Sequence, residues 1–461
     1  MSTTINDSRL NNSISFAPLS RMSVKEALVS SIDSVCSCIS LFSENPTKNF
    51  TRNRKLPVRT LVQFMLNMEG NSLNSEIYNN FPNRKERMTA SAFVQQRDKL
   101  DPDAFKALLH EFNATMTDVK TIKDLRVYAI GGSDFCTPLN KDSQWYLPNH
   151  YIRKDGQEAK GTCLLHGNFL YDLLNKQYMD MNETRDERDG AIRLIEGISD
   201  IEHSLTIMDR GYYGFNMIEH CNRSGGYYVM RVPVNCIKEI SAMSDETQDI
   251  DMEIKVSTKS NQFCQLYGYH KINTQKHPDK EYSENTANTR WDFEEKCAIK
   301  FRVCKFKIND PESGKEVWEV LITNLPRDKF SIKDMKRIYW LRWGIETSFR
   351  ELKYAVGAIN FHSKKDKFIL QELYAHLVMF NATSKVAACI PITNSSTGWA
   401  YAVDFKMVVH IFRIYFRSFN KAPPEEMYAD MTRYRHMIKD GRHSMRFLKP
   451  KSAVYFTYRV A

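Results

Sequence analysis

Between residues 125 and 232 the chain switches repeatedly between strand-like and helix-like patterning, and the order of those switches limits the fold more than any other feature. Residues 125–130 (LRVYAI) form a β-branched and aromatic run broken by two glycines. Residues 163–171 and 176–180 read as a strand pair, and residues 185–198 have helical spacing. Residues 204–208 (SLTIM) read as a strand ending at Asp209, 215–221 as a helix and 227–232 (YYVMRV) as a strand. Strands and helices in this sequence predict an α/β core.

A second stretch, residues 331–358 (SIKDMKRIYWLRWGIETSFRELKYAVGA), reads as one helix. It opens with Ser331 and Asp334, an S-x-x-D pattern that satisfies the free N–H groups of a first turn. Tyr339, Arg342, Glu346 and Lys353 fall at roughly 0°, 300°, 340° and 320° around an ideal helix axis, on one face about 21 Å long. Ile338, Leu341, Ile345, Phe349 and Leu352 make a neighbouring apolar stripe for a core. Spacing alone favours a surface helix with ordinary salt bridges.

The residues themselves go further. Tyr339, Arg342, Glu346 and Lys353, set in WGIETSFRELK, resemble the Tyr-Arg-Glu-Lys signature of bacterial insertion-sequence DDE transposases of the insertion-sequence-four type. The resemblance implies a ribonuclease-H-like catalytic core interrupted by a β-rich insertion and preceded by a helical N-terminal region. It implies that Glu346 is the third metal-binding carboxylate, that Asp209 at its strand end is the second, and that Tyr339, Arg342 and Lys353 contact DNA phosphates. The implied cofactor is Mg²⁺ or Mn²⁺, two ions in an intact site, which activate the attacking oxygen and stabilise the leaving one. The implied partners are double-stranded DNA at terminal inverted repeats and at the target. Pairing two ends implies a dimer on DNA.

The family's first Asp stands at the end of the first strand, in a pattern like A-I-D-G-S-D. Here the chain reads Ala129-Ile130-Gly131-Gly132-Ser133-Asp134, so Gly131 holds the place of the first carboxylate. Glycine has no side chain with which to ligate. Asp134, three residues on, is the candidate substitute. Two readings stay open: an active enzyme of cut-and-paste DNA transposition, or a catalytically impaired copy that keeps only DNA binding.

The remaining segments are expectations of the same kind. Residues 1–20 are polar and read as disordered. Residues 21–120 read as helical, with a basic segment at 48–59 and two short helices across a break at Pro82. That pair resembles a helix–turn–helix, although a plain helical bundle fits the pattern as well. In the family this region binds the element ends. The core is expected over 121–235 and 331–400, with the β-rich insertion at 236–330 and a polar loop at 273–288. Residues 401–461 carry 12 Lys/Arg against 5 Asp/Glu with interleaved aromatics, which suits a phosphate-binding surface or a solvated helical tail.

The net charge of +10 agrees with a polyanionic partner. Ten scattered cysteines without a C-x-x-C pair argue against a zinc site and for free thiols in a reducing cytoplasm. No secretory signal is seen, and the most apolar window, 373–392, contains His376, Asn381 and Lys385, so no membrane span is expected. The implied setting is the bacterial cytoplasm, associated with the nucleoid.

Overall fold

The computed structural model describes residues 23–51, 56–115, 117–150, 152, 160–257, 291–309, 314–390, 393–394, 400–417 and 424–437. The polar N-terminal segment 1–20, the polar loop at 273–288 and the tail beyond 437 lie outside the described residues.

The N-terminal part is helical: α1 (Ser23–Ser37), α2 (Val58–Asn67), α3 (Leu73–Asn80), α4 (Ala90–Arg97) and α5 (Asp103–Ala114). Pro57 precedes α2, where its missing N–H is not needed, and the last seven residues of that helix are buried. Ser72 and Thr89 cap α3 and α4 by accepting from the N–H groups of Ser75 and Ala92.

The strands are β1 (Arg126–Thr137), β2 (Tyr146–Leu147), β3 (Thr162–Asp172), β4 (Gln177–Asn182), β5 (Ser204–Met208), β6 (Tyr227–Val232), β7 (Gln248–Ser257), β8 (Lys296–Asn309) and β9 (Glu316–Thr323). Among the described residues they form one mixed sheet in the order β2-β3-β1-β5-β6-β9-β8-β7, with β4 beside β3. The pairs β1–β5 and β5–β6 are parallel, and the crossovers between β4 and β6 carry α6 (Glu187–Glu196) and α7 (Phe215–Ser224). Helices covering a parallel centre explain why every residue of β5 is buried. Gly225, at φ +83°, ends α7 in the left-handed conformation that a residue with a Cβ resists. After the short α8 (Lys238–Ser241), the segment read as a β-rich insertion continues the same sheet, because β9 pairs antiparallel with β6.

The expected single helix over 331–358 is divided in the structure. It consists of α9 (Ile332–Trp340), α10 (Trp343–Glu351) and a π-helical turn over Leu352–Val356 that closes at Gly357, φ +100°. Between α9 and α10 the backbone tightens to i→i−3 bonding, with Leu341 N–H donating to Ile338 O at 3.1 Å and Arg342 N–H to Tyr339 O at 3.1 Å. The reason is packing. Met335, Ile338 and Tyr339 of α9 join a core cluster with Val127, Leu205 and Val229. Ile345 and Leu352 join a different one, with Ala129, Phe169 and the long helix α11 (Asp366–Ala388). A straight rod does not follow a twisted sheet from one cluster to the other. Beyond α11 come α12 (Phe405–Arg417) and α13 (Pro424–Arg433); Val408 and Phe412 of α12 complete the cluster that holds Ile345 and Leu352.

One buried ionic network ties the N-terminal helices to α11. Arg97, 1% exposed, donates to Glu372 Oε1 at 2.8 Å, Gln371 Oε1 at 3.1 Å and Phe368 O at 2.8 Å. The other Glu372 oxygen accepts from the N–H of His362 at 2.9 Å and faces its Nδ1 at 3.1 Å.

Candidate active site

β1 and β5 run in parallel with Ala129 beside Ile207, and two residues further along each strand stand Gly131 and Asp209. Asp209 leaves the sheet as the cap of a short 3₁₀ turn, its Oδ1 accepting from Gly211 N–H at 2.7 Å. A Cβ placed on Gly131 would lie 3.2 Å from Ile345 Cδ1 and 3.3 Å from Phe349 Cε2. The side of β1 on which residue 131 faces outward is therefore the side covered by α10, the helix that carries Glu346.

Strand alternation sends the next residue the other way. A Cβ on Gly132 would lie 2.8 Å from Glu187 Oε1 and 2.8 Å from His166 Cε1. Asp134 shares that second face: its Oδ1 sits 2.8 Å from His166 Nδ1, and the two residues pair directly across β1 and β3. His166 Nε2 in turn lies 3.6 Å from Glu187 Oε1. The hydrogen bond that the imidazole donates to the Asp134 carboxylate holds it above its ordinary pKa against the opposing effect of burial. Asp134 is thus engaged on the face away from α10.

On the α10 side, Arg342 Nη2 donates to Glu346 Oε1 at 2.9 Å. The guanidinium also lies 5.0 Å from the Trp343 ring centre and 5.9 Å from that of Tyr339. Burial works against the Arg342 charge, but Tyr339, Glu346 and Asp209 together raise its pKa. Asp209 and Glu346 therefore act on the same cation. Burial pushes the Tyr339 phenol up to about 12, with Arg342 and Arg231 acting in the opposite sense. Its hydroxyl is buried without a hydrogen-bond partner among the described residues. Lys353 turns inward: its ammonium donates to the Asp134 carbonyl at 2.7 Å and sits 4.8 Å from the Phe135 ring centre. The structure thus brings Tyr339, Arg342 and Glu346 together and directs Lys353 at the β1 backbone.

Three neighbours were not singled out from sequence. Glu187 lies beside the Asp209 turn, and both carboxylates act on the buried Tyr212. Arg231 Nε contacts Glu319 Oε1 at 3.2 Å, and Arg342 and Lys336 also act on that buried acid. A charged residue inside the apolar run YYVMRV was the one available signal; Glu187 and Glu319 had none.

The donor set does not fit a pair of Mg²⁺ ions. Such ions take several hard oxygen ligands. Position 131 offers none, Arg342 occupies an oxygen of Glu346, and Asp134 faces His166. Among the described residues, no three of His, Cys, Asp or Glu converge as a metal-holding group.

No curated protein matches the chain. A family model described as the transposase DDE domain matches residues 97–382. That span runs from the end of α4 through the whole sheet, α9 and α10 and most of α11, well over half of the sequence, and by it the chain belongs to the DDE transposase family.

Proposed function

We propose that the protein is a transposase of the insertion-sequence-four type, with a ribonuclease-H-like core, that binds duplex DNA at terminal inverted repeats as a dimer in the bacterial cytoplasm. Asp209 and Glu346 are the remaining members of its acidic set. Tyr339 and Arg342 belong to its phosphate-contacting surface, with residues 21–120 engaging the ends and the basic C-terminal region adding charge; Lys353, held by the Asp134 carbonyl, braces β1 instead. In this reading the copy as written binds ends but does not cut them.

The observation that carries the reading is the direction of residue 131. Its missing side chain faces the helix of Glu346, two residues beyond the pairing that brings β1 alongside the strand of Asp209. A carboxylate at that position completes an acidic trio; glycine leaves it open. The contact of Asp134 with His166 supports position 131, rather than Asp134, as the seat of the missing acid.

The test compares the protein as written with Gly131→Asp, using Glu346→Ala as the blank, on a labelled duplex carrying the element's inverted repeat with Mg²⁺ or Mn²⁺. Cutting by Gly131→Asp alone supports the reading. Equal cutting by the protein as written overturns the role given to position 131. Failure to bind the repeat more tightly than random duplex at matched salt overturns the DNA-end assignment itself.

A further inference from the structure

The N-terminal helices contain a surface that differs from an ordinary solvated face. α4 buries Phe93 and Arg97 on one side and exposes Ser91, Val94 and Gln95 on the other. The exposed side chains are spaced i, i+3 and i+4, so they share one stripe, and Gln95 Nε2 reaches back to Ser91 Oγ at 3.4 Å. None is charged, although a helix face turned to water ordinarily carries charge. A short hydroxyl, an exposed methyl pair and a carboxamide are instead the groups that read base edges in a major groove.

The turn that enters this helix is cationic and pre-shaped. Arg84 and Lys85 stand exposed at its tip, with Glu86 as the one acid between α3 and α4. Arg87 points back into the turn, donating to Phe81 O and Pro82 O at 2.9 Å each and lying 4.1 Å from the Tyr78 ring centre. Asn83 accepts from the Lys85 N–H at 3.1 Å. The turn is thus held by its own hydrogen bonds, leaving Arg84 and Lys85 to face outward. At the other end of α4, Arg97 fixes the helix to α11 through the buried Glu372.

We propose that α3, the turn and α4 form a helix–turn–helix in which α4 is the reading helix. Ser91, Val94 and Gln95 meet base edges in the major groove of duplex DNA, and Arg84 and Lys85 seat the flanking phosphates. This rests on the end-binding function proposed above and assigns its sequence-reading element. The charge of the turn complements a polyanion, and the neutral stripe between it and the Arg97 anchor supplies what phosphate contacts lack, namely discrimination between bases.

The experiment selects bound sequences from a random duplex library with the full-length protein, then repeats the selection with Val94→Ala/Gln95→Ala and with Arg84→Ala/Lys85→Ala. The wild-type protein is expected to enrich one motif. The α4 variant should lose preference at two or three adjacent positions, by about tenfold at each lost contact, while its binding to random duplex and its salt dependence stay unchanged. The turn variant should keep the motif, bind all sequences more weakly, and show a slope of log affinity against log salt that is lower by roughly 2. A motif unchanged by the α4 substitutions overturns the proposal and leaves end binding intact. Absence of any enriched motif in the wild-type selection overturns the proposal together with the end-binding reading.

Discussion

Replacing Arg97 with methionine removes three hydrogen bonds at once and leaves Glu372 buried with His362 as its charged partner among the described residues. Breaking a buried pair by deleting one member costs about 3–5 kcal/mol. Linkage gives an independent figure. Burial by itself raises the Glu372 pKa, but Arg97 and His362 overcome it and hold the carboxyl at about 2, against an ordinary 4.5. A depression of that size corresponds to about 3 kcal/mol of stability, and the two routes agree. Because the folded pKa is depressed, this contribution is complete above pH 4.5 and disappears as the pH falls toward 2. His362 behaves oppositely. Its pKa is raised by Glu372 in spite of burial, so its contribution is complete below its ordinary value of 6.5 and is lost at higher pH. Both charges are therefore in place near pH 5.5. Urea titrations of the full chain, followed by tryptophan fluorescence, should show Arg97→Met less stable by about 3–5 kcal/mol at pH 5.5. The gap should narrow at pH 3, because Arg97 depresses the wild-type carboxyl further than His362 alone depresses it in the variant. A gap below about 1 kcal/mol at pH 5.5, the worth of a surface pair, would refute the reasoning. So would a gap independent of pH.

Gly131→Asp should fold with a loss of about 1–3 kcal/mol, because its Cβ arrives 3.2 Å from Ile345 Cδ1, and adding Ile345→Val should recover part of that loss in thermal melts. Gly190→Ala would drive a methyl into the buried Asn168 Nδ2, which donates to Thr184 O at 2.7 Å; it should destabilise strongly, whereas Gly197→Ala, whose methyl would lie 3.4 Å from Arg193 O, should change stability by less than about 0.5 kcal/mol. His166 should titrate above the ordinary histidine range in an NMR pH series, and Asp134→Asn should bring it down. The sign follows from the raised folded pKa: the His166 contribution is present below pH 6.5 and is lost as the pH rises through the folded value, a loss that Asp134→Asn should abolish.

Much of the secondary structure was readable because its causes are local. The strand and helix runs between 125 and 232 announce themselves by period, and the capping pattern of Ser331 and Asp334 is present, with Ser331 N–H donating to Asp334 Oδ2 at 2.9 Å. The pairing of Arg342 with Glu346 follows from i,i+4 spacing, which survives the bend before Trp343. The bend itself was invisible. No residue between Tyr339 and Trp343 is a helix breaker; the two halves part because their apolar residues belong to separate clusters. Lys353, in the π-helical turn beyond Glu351, reaches the β1 backbone.

The sequence by itself determined the class of fold, the resemblance carried by residues 339–353 and the absence of a carboxylate at position 131, because each is written in the local order and spacing of residues. Tertiary structure decided which way those residues face. β1 pairs with β3 over ten residues, and that register turns Gly131 toward Ile345 and Phe349 of α10 and Asp134 toward His166, though the two positions are close in sequence. It also joined the β-rich segment to the main sheet and linked Arg97 to a carboxylate 275 residues away. Side-chain direction in a strand has a period of two, so a single step in register exchanges the faces. That step is chosen by partners distant in the chain.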